Sequence, residues 1–197
     1  PHLLCPIATD GEETRRMVKL IIAEMERRKQ LFSRYSGRYI CNNIHRYAQL
    51  SGTQLPLILA IFDEVADVVQ PGDDLEADLI RLAKLGQAFG ISLILATQRP
   101  SSSVMTGEIQ SQLQTRFVTW MPNNREYGVV ANVPKEIYSE MERRPGLFMV
   151  YSGAGWRFVQ SRRVPDRKLE ALARRISRPA LRWQHAAATE KHSNLDQ

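Results

Sequence analysis

The sequence has few of the residues that build covalent cross-links and membrane-spanning segments. Only two cysteines occur among 197 residues, Cys5 and Cys41, so neither a disulfide framework nor a cysteine-rich metal site is expected. No apolar run approaches the roughly 20 residues that a membrane-spanning helix needs, and no stretch has the pattern of a signal peptide. With 43% hydrophobic and 24% charged residues, the composition is typical of a soluble globular chain. Together these features predict a cytoplasmic location.

Two adjacent carboxylates, Asp63 and Glu64, directly follow the apolar run 57–62. This run is long enough for a strand that is buried on both faces. A second apolar run, residues 91–96, is followed by Thr97-Gln98-Arg99-Pro100. Open α/β sheets place their ligands at the carboxyl ends of parallel strands. In P-loop ATPases one acid at this position holds the Mg²⁺ shell, and the next orients or deprotonates the attacking water.

The order of apolar runs and turn residues predicts an α/β fold with a mostly parallel sheet flanked by helices. Strands are predicted over residues 57–62, 91–96, 116–120, 146–151 and 156–160, and the last two read as a hairpin. Helices are predicted after the capping residues Thr9 and Asp10, and over residues 43–50, 75–89, 109–113, 124–131, 134–142 and 166–177. In the first helix the expected buried stripe is Met17, Leu20, Ile21, Met25 and Phe32. The charged residues Glu24, Glu26, Arg27, Arg28 and Lys29 are expected to cover mostly the opposite face.

Positive charge is concentrated near the end of the sequence. Residues 157–183 contain nine Lys or Arg and two acids, whereas the whole chain carries a formal net charge of +6. A basic segment on a nearly neutral body suggests a polyanionic partner. A solvated helix face explains the same pattern, so both readings stay open.

Several motifs resemble the motor domain of the FtsK/SpoIIIE family of DNA translocases, in the same order and spacing over about residues 1–177. The matching segments are Pro1-His2-Leu3-Leu4, Pro6, Thr9-Asp10, Glu24-Met25-Glu26-Arg27-Arg28, Leu31-Phe32, Asp63-Glu64-Val65-Ala66-Asp67, Gly90-Ile91, Leu93-Ile94-Leu95-Ala96-Thr97-Gln98-Arg99-Pro100-Ser101, Val104-Met105-Thr106-Gly107-Glu108-Ile109 and Thr115-Arg116-Phe117. An acid pair after a strand is weak by itself, but this combination is specific.

The resemblance implies a RecA-like P-loop NTPase core over residues 1–180, and the polar composition of residues 181–197 predicts a disordered tail. It also implies a homo-hexameric ring on double-stranded DNA that uses ATP and Mg²⁺. By resemblance, Asp63 is the metal ligand, Glu64 the catalytic carboxylate and Gln98 the polar sensor, and Asp63, Thr97 and Gln98 contact the nucleotide. Arg125 falls where the family supplies an arginine finger to the neighbouring subunit. A helix-surface arginine at position 125 is an equally open reading.

Three basic residues, Lys135, Arg143 and Arg144, lie in the region where the family presents DNA-facing loops. Contacts made there would be to phosphates, which give affinity without sequence preference and a strong dependence on salt. A solvated surface is the alternative for each of them.

The sequence departs from the family in one important respect. It contains no G-x-x-x-x-G-K-[ST] loop, which binds phosphates through backbone N–H groups, a lysine and a hydroxyl. We therefore expect a core truncated on its N-terminal side, and a 197-residue chain that does not hydrolyse ATP alone. In the family the loop lies upstream of the residues matching Pro1-His2-Leu3-Leu4, and the parent protein can also carry an inner-membrane anchor there.

Three functions remain open at the level of sequence. The first is part of an ATP-driven double-stranded DNA translocase that serves chromosome partition, conjugation or mobile-element transfer. The second is a protein-secretion ATPase of the same superfamily. The third is a non-catalytic DNA-binding or assembly subunit without a P-loop, although that role gives no reason to keep Asp63, Glu64, Gln98 and Arg125 together.

Overall fold

The structure, a computed structural model, describes residues 3–35, 37–70, 72–98 and 106–176, apart from the side chains of residues 125, 129–131 and 176. The chain forms two compact units, Asp10–Ser161 and the combination of Pro1–Thr9 with Arg162–Gln197. The predicted boundary at residue 180 and the predicted tail 181–197 lie outside the described residues.

The larger unit contains six helices and five strands among its described residues. The helices are α1 (Gly11–Ser33), α2 (Ile44–Ser51), α3 (Asp74–Leu85), α4 (Gly107–Gln112), α5 (Asn124–Ala131) and α6 (Lys135–Tyr138). The strands are β1 (Ile58–Phe62), β2 (Ile91–Leu95), β3 (Arg116–Val118), β4 (Leu147–Tyr151) and β5 (Trp156–Gln160). Short 3-10 turns cover Val65–Asp67 and Gly86–Phe89. The predicted strands are confirmed to within two residues at each end, whereas α6 is shorter than the predicted helix 134–142.

Helix α1 begins where the capping pattern predicts. The Asp10 side chain accepts a hydrogen bond from the Glu13 backbone N–H at 2.8 Å, which satisfies one of the free amides of the first turn. The predicted buried stripe is only partly correct. Met25 and Phe32 are buried as expected, but Leu20 is 46% exposed, and the stripe is completed by the buried residues Val18 and Ile22.

Glu24 and Arg28 are buried in α1, so the prediction that they cover its outer face is wrong. The side chain of Arg28 is fully buried, and its Nε donates to Glu24 Oε1 at 2.7 Å. Its Nη1 donates to the backbone carbonyl of Phe89 at 2.7 Å. The ion pair and the carbonyl offset the cost of burying the guanidinium charge. The bond to Phe89 connects α1 to the turn that precedes β2.

Strands β1 and β2 form a two-stranded parallel sheet whose register aligns Ile58 with Ile91 and Phe62 with Leu95. Side chains alternate between its faces. Ile58, Ala60 and Ile91 lie on the buried face. The opposite face carries Leu59, Ile61 and Ile94, which are 56%, 64% and 47% exposed. The expectation that the run 57–62 is buried on both faces is therefore wrong for this chain.

Strands β3, β4 and β5 form a second, antiparallel sheet in the order β3-β4-β5. The hairpin of β4 and β5 confirms the prediction from the glycines between them. The sheet and helices α5 and α6 enclose a core made of Val118, Tyr127, Val133, Met141 and Met149. This core is separate from the hydrophobic cluster of Phe32, Cys41, Ile44 and Tyr47, which lies between α1 and α2.

The smaller unit contains helix α7 (Asp166–Ile176) among its described residues, which agrees with the prediction to within one residue. Every side chain described between residues 162 and 175 is exposed. None of the helices in the described part of the chain combines the length and hydropathy that a membrane crossing requires.

Candidate functional site

The acid pair lies at the carboxyl end of the parallel sheet, as the sequence predicts. Beyond the last paired residues of β1 and β2, two more backbone hydrogen bonds continue the pairing. The Ala96 N–H donates to the Phe62 carbonyl at 2.8 Å, and the Val65 N–H donates to the Ala96 carbonyl at 2.9 Å. These bonds enclose Asp63 and Glu64 on both sides and hold them against the residues that follow β2.

Glu64 is held at both of its carboxylate oxygens. The Thr97 hydroxyl donates a hydrogen bond to Oε1, and the backbone N–H of Gln98 donates to Oε2 at 2.7 Å. A carboxylate accepts such bonds only in a limited set of orientations. The end of β2 therefore fixes the direction of the Glu64 side chain.

Asp63 is placed differently from its neighbour. It is exposed, and it has no hydrogen-bond or ion-pair partner among the described residues. Because side chains alternate along a strand, Asp63 continues the exposed face of Leu59 and Ile61, whereas Glu64 lies half-buried with the opposite face. The two carboxylates thus differ in environment: one is available to a ligand from solvent, and the other is held by the protein.

The residues present are compatible with a magnesium–nucleotide complex. Mg²⁺ in nucleotide sites is held by one or two carboxylates together with phosphate oxygens and water, and none of the described side chains occupies the Asp63 carboxylate. Among the described residues there is no group of three or more His, Cys, Asp or Glu side chains that could hold a metal by itself. A metal bound at Asp63 would therefore take further ligands from the nucleotide and from water.

The exposed side chain of Gln98 follows β2 at the same sheet edge as the acid pair. Sequence reasoning named Thr97 only as a nucleotide contact and did not predict its bond to Glu64. The register of the two strands indicates this bond, because aligning Phe62 with Leu95 places Glu64 opposite Thr97, two positions further along the chain from each of them. Arg99, which follows, lies outside the described residues.

The predicted arginine finger and DNA contacts lie on other elements. Arg125 is in α5, but its side chain is outside what the structure describes. Lys135 is exposed at the start of α6. Arg143 and Arg144 are exposed on the segment that leads into β4, and the Arg143 guanidinium lies 5.0 Å from the centre of the Trp120 ring. No contact among the described residues joins Lys135, Arg143 or Arg144 to the acid pair.

The sequence model of the FtsK/SpoIIIE family matches residues 1–102. That is more than half of the 197 residues and includes both Asp63-Glu64 and Thr97-Gln98. The chain belongs to the FtsK/SpoIIIE family. The resemblance deduced from the motifs is therefore confirmed.

Curated relatives of this FtsK/SpoIIIE-family chain carry the name DNA translocase. DNA translocase FtsK of Campylobacter jejuni subsp. jejuni is 42% identical over 118 residues, which cover 59% of this chain and 12% of that protein. DNA translocase SpoIIIE of Bacillus subtilis is 40% identical over 124 residues, which cover 59% of this chain and 16% of that protein. The chain thus spans less than a fifth of the length of these relatives.

Solved structures of similar fold extend the likeness to most of the chain. The conjugation coupling protein TcpA of pCW3, in a monomer form with ATPγS, aligns with a TM-score of 0.69 at 25% identity. The alignment covers 85% of this chain and 50% of TcpA. EssC of Geobacillus thermodenitrificans aligns with a TM-score of 0.67 at 22% identity, covering 87% of this chain and 34% of EssC. The predicted α/β fold of the P-loop ATPase class is confirmed.

Proposed function

We propose that this chain forms the part of an ATP-driven double-stranded DNA translocase that carries the acid pair of the ATPase site. One observation carries the proposal: an exposed Asp63 next to a Glu64 that the end of β2 holds at both oxygens. The curated relatives named as DNA translocases support the choice of DNA as substrate. The process served would be chromosome partition or the transfer of conjugative or mobile elements.

The roles of the residues follow from their environments. Asp63, exposed at the sheet edge, would bind Mg²⁺, and Glu64 would accept a proton from the attacking water. Gln98 would contact the phosphate or that water from the neighbouring strand. ATP supplies the phosphoryl group whose transfer releases energy. The phosphate-binding loop is not within these 197 residues, so the complete site requires one from another segment or chain.

A complete site would also require a neighbouring subunit. Arg125, at the start of α5, would stabilise charge on the transferring phosphoryl group of the adjacent protomer. This arrangement corresponds to a homo-hexameric ring around duplex DNA. Sites that depend on residues in trans keep hydrolysis coupled to assembly.

Binding to DNA would rest on exposed cations. Helix α7 carries Arg167, Lys168, Arg174 and Arg175 against two acids, Asp166 and Glu170. At about 100° per residue, the four cations fall within an arc of about 120°, and Leu169 lies on the opposite side of the helix. Lys135, Arg143 and Arg144 would add further phosphate contacts. Such contacts bind the phosphates of DNA without sequence preference. This property suits a motor that moves along any duplex.

The ATPase assignment is tested with Glu64→Gln in the native protein that carries these residues. A general base contributes about 100- to 10,000-fold to a rate, so we expect kcat for DNA-stimulated ATP hydrolysis to fall by at least about 100-fold while ATP is still bound. The matched control is Glu12→Gln, which removes an exposed glutamate of α1 whose ion pair with Arg16 measures 3.6 Å. Unchanged hydrolysis by Glu64→Gln would contradict the assignment.

The DNA assignment is tested by titrating salt against duplex binding. Neutralising Arg167, Lys168 and Arg175 to Gln should reduce the slope of log affinity against log salt by about one for each lost phosphate contact. Three exposed cations of α1 and its C-terminal end, Arg16, Lys29 and Arg34, provide a control with the same change of charge. If the unaltered protein has no affinity for duplex DNA at low salt, the translocase proposal fails and a protein-secretion ATPase of the same superfamily takes its place.

A further inference from the structure

The contact between Thr97 and Glu64 has no role in the mechanism proposed above. Thr97 is half-buried, and its hydroxyl meets the acid pair at the second residue after the end of β2. Sequence reasoning placed it among the residues that touch the nucleotide. Its hydrogen bonding in the structure points to a different role.

The direction of the hydrogen bond is fixed by chemistry. An ionised carboxylate only accepts hydrogen bonds, so the Thr97 hydroxyl must be the donor to Glu64 Oε1. A threonine hydroxyl has a single hydrogen to donate. Phosphate oxygens also accept hydrogen bonds, and therefore a Thr97 that is bonded to Glu64 cannot donate to a phosphate at the same time.

The hydrogen bond from Thr97 leaves Glu64 able to act as a general base. Each carboxylate oxygen has two lone pairs, so an oxygen that accepts one hydrogen bond can still accept a hydrogen from water. Two fixed donors, one from the Thr97 side chain and one from the Gln98 backbone, restrict rotation of the carboxylate, and such restriction is what orients a general base before reaction.

We propose that Thr97 is a positioning residue that orients the Glu64 carboxylate and is not a ligand of the nucleotide. The inference rests on the proposed ATPase function of the acid pair. Of the two donors, only Thr97 can be removed by substitution of a side chain, because the second is a backbone N–H. The role of the hydroxyl can therefore be separated from that of Gln98.

The experiment compares Thr97→Val, Thr97→Ala and Thr97→Ser in the native protein that carries these residues. Val keeps the shape of threonine without the donor, Ala removes the donor with less bulk, and Ser restores the hydroxyl. We expect Val and Ala to lower kcat about 10- to 100-fold, the range for a lost hydrogen bond to a charged group or a misplaced catalytic group. The dissociation constant of the non-hydrolysed analogue ATPγS should stay within about twofold of the unaltered protein, and Ser should recover most of kcat. Thr53→Val, at an exposed threonine before β1, is the matched control.

A double-mutant cycle separates positioning from a structural effect. If Thr97 acts through Glu64, adding Thr97→Val to Glu64→Gln should change the residual kcat by no more than about twofold. A full additional loss in the double variant would overturn the inference, and so would a weaker affinity for ATPγS in Thr97→Val. An unchanged kcat in both Thr97→Val and Thr97→Ala would overturn it as well.

The outcomes also distinguish this inference from the proposed function. If Glu64→Gln abolishes hydrolysis but loss of the Thr97 hydroxyl has no effect, only the positioning role is wrong. If Glu64→Gln leaves hydrolysis unchanged, the function assigned to the acid pair is wrong, and the positioning role is overturned with it.

Discussion

Single residues decide how α1 is anchored, and the most unusual of them is the buried pair of Arg28 and Glu24. Glu24 also binds Arg27, whose Nε and Nη2 donate to its two oxygens at 2.6 and 2.8 Å. Burial by itself raises the pKa of Glu24, but the hydrogen bonds and charges of Arg27 and Arg28 outweigh it, so the pKa lies below its ordinary value of 4.5. The folded chain therefore holds this carboxylate in its charged form.

The lowered pKa of Glu24 predicts acid sensitivity. Because the folded-state pKa lies below the unfolded-state value, the pair stabilises the fold fully above pH 4.5, and this contribution is lost as the pH falls through the folded-state pKa. We expect Glu24→Gln to be less stable at neutral pH and to lose less stability on acidification than the unaltered chain. Urea unfolding at pH values from about 7 to about 3 measures this difference. Glu12→Gln is the exposed control, and equal acid slopes for Glu24→Gln and the unaltered chain would contradict the prediction.

At the scale of the elements, the closest packing lies at Gly90, in the turn that joins α3 to β2. Gly90 has a φ of +75°, and a Cβ atom there would lie 2.4 Å from Ile44 Cδ1, 3.1 Å from Leu57 Cδ2 and 3.2 Å from Arg28 Nη1. The left-handed conformation alone disfavours other residues by about 1–2 kcal/mol. The contacts show that α1, α2 and the entry to β1 all close on this glycine, so it fixes where β2 begins.

Substitution of Gly90 tests this packing. Gly52, the C-cap of α2, has a similar φ of +69°, but a Cβ atom at that position would meet nothing within 4 Å, so Gly52→Ala measures the backbone cost alone. We expect Gly90→Ala to lower the free energy of unfolding by about 1–3 kcal/mol more than Gly52→Ala, the usual cost of overpacking. Urea unfolding of both variants gives the difference directly. Equal destabilisation would show that the neighbouring side chains move aside without cost.

The elements were predictable where a local pattern determines them. The apolar runs, the capping residue Asp10 and the glycines of the hairpin indicated the strands, the start of α1 and the β4-β5 turn. The position of Asp63 and Glu64 followed from the rule that ligands gather at the carboxyl ends of parallel strands. The burial of Glu24 and Arg28 could not be predicted in this way, because Phe89, which accepts a hydrogen bond from Arg28, is distant in sequence, and hydrophobic periodicity treats charged residues as exposed. The Thr97–Glu64 bond likewise required the register of two strands.

At the scale of the whole molecule, the parallel sheet is buried on one face and exposed on the other. Of the described residues, only β1 and β2 contribute strands to it, so each strand has one edge without a partner. Its exposed face presents Leu59, Ile61 and Ile94, and the neighbouring Leu57 is 73% exposed. Adjacent branched apolar side chains and open strand edges favour association between chains. The exposed face formed by these side chains is where such association would occur.

We expect the 197-residue chain to self-associate through this face in solution. Replacing Leu59 and Ile61 with Thr keeps a residue type that favours strands and removes two exposed apolar side chains. The double variant should therefore shift sedimentation towards the monomer while retaining the circular dichroism of the fold. Ile58→Thr provides the contrast: Ile58 is only 7% exposed on the opposite face, so this change should lower the free energy of unfolding by burying an unpaired hydroxyl. The prediction is contradicted if the unaltered chain is a monodisperse monomer that melts cooperatively. The exposed apolar face would then stay in contact with water without causing association.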